Sequence, residues 1–166
     1  MRIIGIDPGI AITGYALVEE SGSDFRCTAS GCIRTDKDLP SETRLRKIHE
    51  QLLDLISEYK PDALAVEKIF FSKNVRTAFQ VGEARGVIIL TAALKDLQLF
   101  EYTPLQVKQA VAGYGKAEKV QVQKMVQMLL KLSSIPKVDD EADAMAVALC
   151  HMQSRRWHEA VKGDGR

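Results

Sequence analysis

The segment from residue 140 to residue 154 limits the possible folds more than any other part of the chain. Residues 144–149 read Ala-Met-Ala-Val-Ala-Leu, so a helix here is apolar on nearly every side and has to be buried. Two acids, Asp140 and Asp143, stand three residues apart at its start and therefore lie on one face of the helix. This arrangement predicts carboxylates that face the interior of the fold.

Two further acids follow apolar runs that are typical of buried strands. Asp7 follows Ile3-Ile4-Gly5-Ile6, and Glu67 follows Leu64-Ala65-Val66. If these two strands are neighbours in one sheet, their acids come together with Asp140 and Asp143. Four clustered carboxylates repel one another and need cations to stay ionised, and hard oxygen ligands of this kind suit Mg²⁺ or Mn²⁺.

The remaining patterns predict the element order βββαβαβααα. A three-stranded meander followed by βα crossovers predicts an α/β fold with one mixed five-stranded sheet and helices on both faces. The predicted strands cover residues 2–7, 11–20, 25–34, 62–67 and 98–103, and the predicted helices cover residues 40–59, 75–96, 104–112, 118–132 and 140–154.

Length and composition indicate one soluble globular domain. The chain has 166 residues and a formal charge of +1, and it contains no apolar run near the roughly 20 residues that a membrane span needs. Three cysteines without a CxxC pair indicate thiols in a reducing compartment. The N-terminus enters a strand directly and has no leader pattern, so we expect a cytoplasmic protein that does not contact a membrane.

The four acids suit two-metal chemistry. Two ions about 3.5 to 4 Å apart can serve the attacking water and the leaving 3′ oxygen of a phosphodiester, with Asp7 as the bridging ligand. Each acid also has an ordinary explanation, since Asp7 begins a Pro-Gly turn and Glu67 ends a strand. Asp139, Asp140 and Glu141 are also favourable residues at a helix N-terminus. The combination favours an active site over three independent coincidences.

Basic and aromatic residues suggest a nucleic-acid partner. Residues 108–137 contain six lysines and one acid, so the near-zero total charge conceals a basic zone. Lys116 follows a Gly-rich turn that enters a helix, where amides can hold a phosphate. Phe70 and Phe71 stand beside Lys73 and Arg76 in a loop pattern, which suits base stacking, although a phenylalanine can also plug a sheet edge.

The chain resembles the RuvC Holliday junction resolvases, bacterial nucleases with an RNase H-like fold. The resemblance covers residues 1–155, and it is specific because several motifs occur in combination. These motifs are Gly5-Ile6-Asp7-Pro8-Gly9, Val66-Glu67-Lys68-Ile69-Phe70, Ala84-Arg85-Gly86-Val87, Pro104-Leu105-Gln106-Val107-Lys108 and Asp140-Glu141-Ala142-Asp143-Ala144.

The resemblance implies a Mg²⁺-dependent homodimer that nicks two symmetrical strands of a four-way DNA junction and works with RuvA and RuvB. The family's four acids correspond to Asp7, Glu67, Asp140 and Asp143. Lys108 and Lys119 match positions near the scissile phosphate, Phe70 matches the family's aromatic residue, and the helix over residues 75–96 would form the dimer contact. The nuclease domain would span residues 1–156, and residues 157–166 would form a short, disordered tail.

Several alternatives stay open at this point. Asp139 competes with Asp140 as the partner of Asp143, and the family spacing favours Asp140. An actin-like nucleotide-binding fold shares the sheet order, but 166 residues cannot supply its two large lobes. A junction-binding protein without activity is disfavoured because all four acids are present. A related RNase H-like nuclease that acts on RNA is the second choice.

Overall fold

The computed structural model describes residues 1–68 and 75–163, with side chains for all of these except residues 75–76 and 157–163. The predicted element order is confirmed. The strands are β1 (Arg2–Asp7), β2 (Ile12–Ser21), β3 (Asp24–Arg34), β4 (Ala63–Glu67) and β5 (Gln98–Tyr102), and the helices are α1 (Ser41–Tyr59), α2 (Val75–Leu94), α3 (Pro104–Ala112), α4 (Lys119–Leu129) and α5 (Asp139–Gly163).

The five strands form one mixed sheet in the order β3-β2-β1-β4-β5. β1, β2 and β3 pair antiparallel, as expected for strands joined by short turns. β1, β4 and β5 pair parallel, because α1 and α2 cross over between them. β1 therefore lies at the centre of the sheet, and its carboxyl end shares one edge with the carboxyl end of β4.

Helices cover both faces of the sheet, as predicted. α1 and α2 pack on one face over a core that contains Ile4, Ile6 and Leu64. α3, α4 and α5 pack on the other face over a core that contains Ile3 and Ala65. The alternation along each strand explains this division, because successive side chains point to opposite faces.

α5 lies directly against the backbone of the sheet. A Cβ atom at Gly5 would lie 2.2 Å from the carbonyl oxygen of Ala144, and one at Gly14 would lie 1.9 Å from the carbonyl oxygen of Asp140. Only glycine permits such an approach. The two glycines therefore fix how deeply the first turns of α5 sit on β1 and β2.

Replacing Gly14 with Ala is expected to lower the free energy of unfolding by about 2 kcal/mol or more, because a backbone carbonyl cannot move aside. Urea unfolding measures this loss. Gly115→Ala is the matched control: its Cβ would lie 2.5 Å from the Cδ1 of Leu105, an exposed and flexible side chain that can turn away. Equal losses in the two variants would show that the contact with α5 is not the cause.

The C-terminal helix is longer than the sequence predicted. α5 was expected to end at residue 154 but continues to Gly163. The division into a nuclease domain over residues 1–156 and a disordered tail over residues 157–166 stays a prediction. Arg155 and Arg156 donate hydrogen bonds to the carboxylate of Glu20 at 2.5 and 3.1 Å. These contacts extend the helix beyond the end of its apolar pattern. The other helix and strand boundaries lie within three residues of the prediction.

Cys27, Cys32 and Cys150 are free thiols. Across residues 1–68 and 75–163, none of the helices has the combination of length and apolar character that crossing a bilayer requires.

Candidate active site

Asp7 and Glu67 end two neighbouring parallel strands. Ile6 pairs with Val66 in the register of β1 and β4, so each acid is the next residue at the same end of the sheet. Both acids are half-buried. The predicted adjacency of these two strands is therefore confirmed, and it follows from the crossover through α1.

The first turn of α5 is held over the end of β1. Gly14 pairs with Asp7 across β1 and β2, and the carbonyl of Asp140 lies against the same glycine. Asp143 is three residues further along α5, on the same face as Asp140. The close packing at Gly14 thus brings the two helical acids to the sheet edge where the strand acids end.

The acids interact strongly with one another. Burial, followed by the charges of Asp143, Glu67 and Asp140, raises the pKa of Asp7 to about 8, and Lys119 opposes this shift. Burial is also the main cause of the raised pKa of Asp143. At neutral pH the cluster therefore retains protons that a cation would have to displace.

The charges of two lysines act on Glu67. Burial and the charge of Asp143 raise the pKa of Glu67 to about 7, while Lys108 and Lys119 lower it. These residues line a cavity of about 200 Å³ beside the sheet edge. The cavity is lined by Glu67, Pro104, Val107, Lys108, Lys119, Val122, Asp143 and Ala146.

Lys119 bridges two acids of α5. Its Nζ lies 3.0 Å from Asp143 Oδ2 and 3.2 Å from Asp139 Oδ2. Asp139 also accepts a hydrogen bond from Gln123, and Lys119 lowers the pKa of Asp139. Asp139 thus points to α4, whereas the charge of Asp140 acts on Asp7.

The other residues predicted to bind DNA are distributed as follows. Phe70, Phe71 and Lys73 lie outside the described residues, and Arg76 lies in α2 at a position whose side chain is not described. Lys116 is exposed in the turn between α3 and α4. Among the predicted basic residues whose side chains are described, Lys108 and Lys119 line the cavity with Glu67 and Asp143.

The donor set fits a divalent cation in its chemistry. Half-buried carboxylates with raised pKa values are hard oxygen donors with excess negative charge, and the ammonium group of Lys119 already serves one of them as a counter-ion. Within the described residues, no three His, Cys, Asp or Glu side chains are arranged as a metal-binding group. Carboxylates repel one another unless a cation lies between them.

Sequence reasoning missed two parts of the site. The first is the contact of Gly14 with α5, which depends on tertiary packing and has no local pattern. The second is the link from Asp139 to Gln123. Lys119 and Gln123 stand four residues apart at the start of a helix, so their shared face was a usable signal for the second.

The fold and the site define a class of protein. A mixed sheet in the order β3-β2-β1-β4-β5, with helices on both faces and acids at the end of its central strand, is an RNase H-like fold. Residues 3–151 match the family described as Crossover junction endodeoxyribonuclease RuvC. The chain belongs to this family.

Individual relatives agree over almost the whole chain. A protein of Desulforamulus reducens with the name Crossover junction endodeoxyribonuclease RuvC is 56% identical over 163 residues, covering 98% of each chain. A protein of Halothermothrix orenii with the same name is 55% identical over 161 residues, covering 95% of this chain and 98% of the relative. Thermus thermophilus RuvC in complex with Holliday junction substrate matches with a TM-score of 0.91 and 35% identity, covering 95% of this chain and 96% of that one.

Proposed function

We propose that this protein is a metal-dependent endodeoxyribonuclease that resolves four-way DNA junctions by symmetric paired nicks during homologous recombination and DNA repair. One observation carries the proposal: acids from β1, β4 and α5 meet at one sheet edge, beside a cavity that Lys108 and Lys119 also line. Carboxylates and lysines at one place suit a site that binds both divalent cations and phosphate groups. Family membership supports the choice of a DNA junction as substrate.

The residues that would hold the metal are Asp7, Glu67, Asp140 and Asp143. We infer a pair of Mg²⁺ ions as the physiological cofactor, for which Mn²⁺ can substitute, because all four donors are hard oxygens. When bound, such ions supply an activated water and stabilise the leaving oxygen. The orientation of Asp139 towards Lys119 and Gln123 favours Asp140 over Asp139 as the ligand.

The protein's own basic residues would position the DNA. Lys108 and Lys119 line the cavity with the acids, where they can contact the phosphate that is cut. Lys116 is exposed near them and would bind a neighbouring phosphate. Phe70, Phe71, Lys73 and Arg76 remain proposed contacts for the bases and backbone near the junction centre.

Cleavage of synthetic substrates tests the function. A mobile four-way junction, a linear duplex of the same sequence and an RNA–DNA hybrid are incubated with the protein, with and without Mg²⁺. We expect paired nicks in the junction only, and only with Mg²⁺. Preferential cleavage of the hybrid would favour the alternative, an RNase H-like nuclease that acts on RNA.

α2 carries apolar side chains on two opposite faces. Ala84, Ile88 and Ala92 bury one face of the helix, while Phe79, Leu90 and Leu94 lie on the opposite face and are 71%, 56% and 66% exposed. An exposed apolar stripe on a helix is typical of a protein interface. We propose that two copies of the chain pair through this stripe, so that the two-fold symmetry of the dimer sets two matched cuts.

Replacing Leu90 with Lys is expected to raise the dimer dissociation constant by at least about tenfold, because a charge would be buried without a partner. Analytical ultracentrifugation measures the shift towards the monomer. Met128→Lys is the control, since Met128 is 70% exposed on α4, away from the stripe. If Leu90→Lys changes the dimer dissociation constant no more than Met128→Lys does, α2 is not the contact.

Family membership also supports two wider proposals. We infer that the protein acts with the branch-migration proteins RuvA and RuvB, and that it does so in the cytoplasm. Co-purification of the three proteins on a four-way junction tests the association, and it should be lost when linear duplex replaces the junction.

A further inference from the structure

Lys119 stands between an acid of the proposed metal site and an acid outside it. Asp143 is the inner partner, with a side chain that is 36% exposed, and Asp139 is the outer partner, with a side chain that is 62% exposed. Lys119 is the first residue of α4, and Asp139 is the first residue of α5. The ammonium group therefore has one acceptor inside the cavity and one at its rim.

Asp139 is itself held in place. Its Oδ1 accepts a hydrogen bond of 2.9 Å from Nε2 of Gln123, and its Oδ2 faces Lys119. Gln123 lies one helical turn after Lys119 on α4, so both partners of Asp139 come from one face of that helix. Each oxygen of the Asp139 carboxylate thus has a separate partner, which fixes the rim acceptor relative to α4.

We propose that Asp139 is a positioning residue, which retains Lys119 at the cavity rim when Asp143 becomes a ligand of a divalent cation. With both acceptors present, Lys119 loses its contact with Asp143 when Asp143 binds a cation, but it keeps its contact with Asp139. Without Asp139, Lys119 would have Asp143 as its acceptor and would compete with the cation for it. The outer acid therefore favours metal binding without being a ligand.

The same geometry predicts opposite effects on metal and on DNA. Loss of the Asp139 charge makes the rim more positive, so phosphate groups bind more readily. It also removes the acceptor that draws Lys119 from Asp143, so the metal binds less readily. A variant that merely loosened the packing of α4 on α5 would weaken both kinds of binding. The direction of the two changes therefore separates positioning from a structural role.

Three full-length variants test the proposal. Asp139→Asn removes the charge of the rim acceptor, and Gln123→Ala removes its anchor without a change in charge. Asp24→Asn is the matched control, because Asp24 pairs with Lys131 in another exposed ion pair. The Mg²⁺ concentration at half-maximal thermal stabilisation reports metal binding, and fluorescence anisotropy of a labelled four-way junction in EDTA reports DNA binding.

For Asp139→Asn we expect the Mg²⁺ midpoint to rise about three- to tenfold and the junction dissociation constant to fall about twofold, as suits exposed ion pairs. Gln123→Ala should raise the Mg²⁺ midpoint by a smaller factor and leave junction binding unchanged. Asp24→Asn should leave the Mg²⁺ midpoint unchanged. Agreement with this pattern supports the positioning role.

Other outcomes overturn it. An unchanged Mg²⁺ midpoint in Asp139→Asn would show that the rim acid does not assist metal binding. A raised midpoint in Asp139→Asn combined with a wild-type midpoint in Gln123→Ala would show that charge alone matters. The inference rests on the proposed metal site, so a wild-type protein that Mg²⁺ does not stabilise would contradict the proposed function itself, a result distinct from failure of the variants.

Discussion

Replacing Asp7 with Asn is expected to reduce junction cleavage by at least about 10³-fold and to leave junction binding within about threefold of wild type. Asp7 ends the central strand and lies among three other acids, each of which acts on its pKa. Among residues 1–68 and 75–163, Asp7 is the acid at the end of the central strand. Loss of its charge should therefore disable the bridging position of the proposed metal site while leaving the basic residues in place.

Two measurements are needed to interpret this variant. Gel assays of a labelled four-way junction in Mg²⁺ give the cleavage rate, and anisotropy in EDTA gives the dissociation constant. Asp24→Asn is the control for the loss of one acid. Asp24 is exposed and pairs with Lys131, and it lies at the end of the sheet opposite to the end that carries Asp7. Cleavage by Asp7→Asn near the wild-type rate would refute the proposed site.

Much of the fold follows from local patterns in the chain. The continuous apolar runs before Asp7 and Glu67 and the helical spacing in α1 each match the structure, because burial on one or two faces determines which residues these elements can carry. The parallel pairing of β1 with β4 follows from the crossover rule. The sequence therefore predicted that Asp7 and Glu67 end at one edge.

Other features depend on contacts between distant residues and leave no local pattern. The approach of Asp140 to Gly14 joins residues from opposite ends of the chain, and so does the hydrogen bond of 2.6 Å from Ser30 to Glu141. Arg155 and Arg156 lie beyond the predicted end of α5, yet they are helical and donate hydrogen bonds to Glu20 of β2. Their stability comes from tertiary contacts that propensity does not encode.

In the presence of a chelator, the free energy of unfolding is expected to fall by about 2 kcal/mol between pH 6.5 and pH 8. The pKa of Asp7 is raised to about 8 in the fold, so the folded chain keeps a proton that the unfolded chain has already released. Stability is then lost as the pH rises towards 8. Burial and the charge of Arg155 lower the pKa of His151 from 6.5 to about 4, so most of its opposing effect falls below pH 6.5 and only a small remainder extends above it.

Asp7→Asn should reduce the fall in the free energy of unfolding between pH 6.5 and pH 8. Mg²⁺ should do the same for the wild-type protein, because it favours the ionised carboxylates. At pH 8 in chelator, the variant is therefore expected to be more stable than the wild type, although it is inactive. Urea unfolding at several pH values measures the slopes, with Asp24→Asn as the control that retains the wild-type slope. Glu67, whose pKa is raised to about 7, leaves a small residual slope in Asp7→Asn near neutral pH. Parallel curves for Asp7→Asn and the wild type would show that Asp7 carries no such proton, because a buried carboxyl group that titrates in this range has to make stability depend on pH.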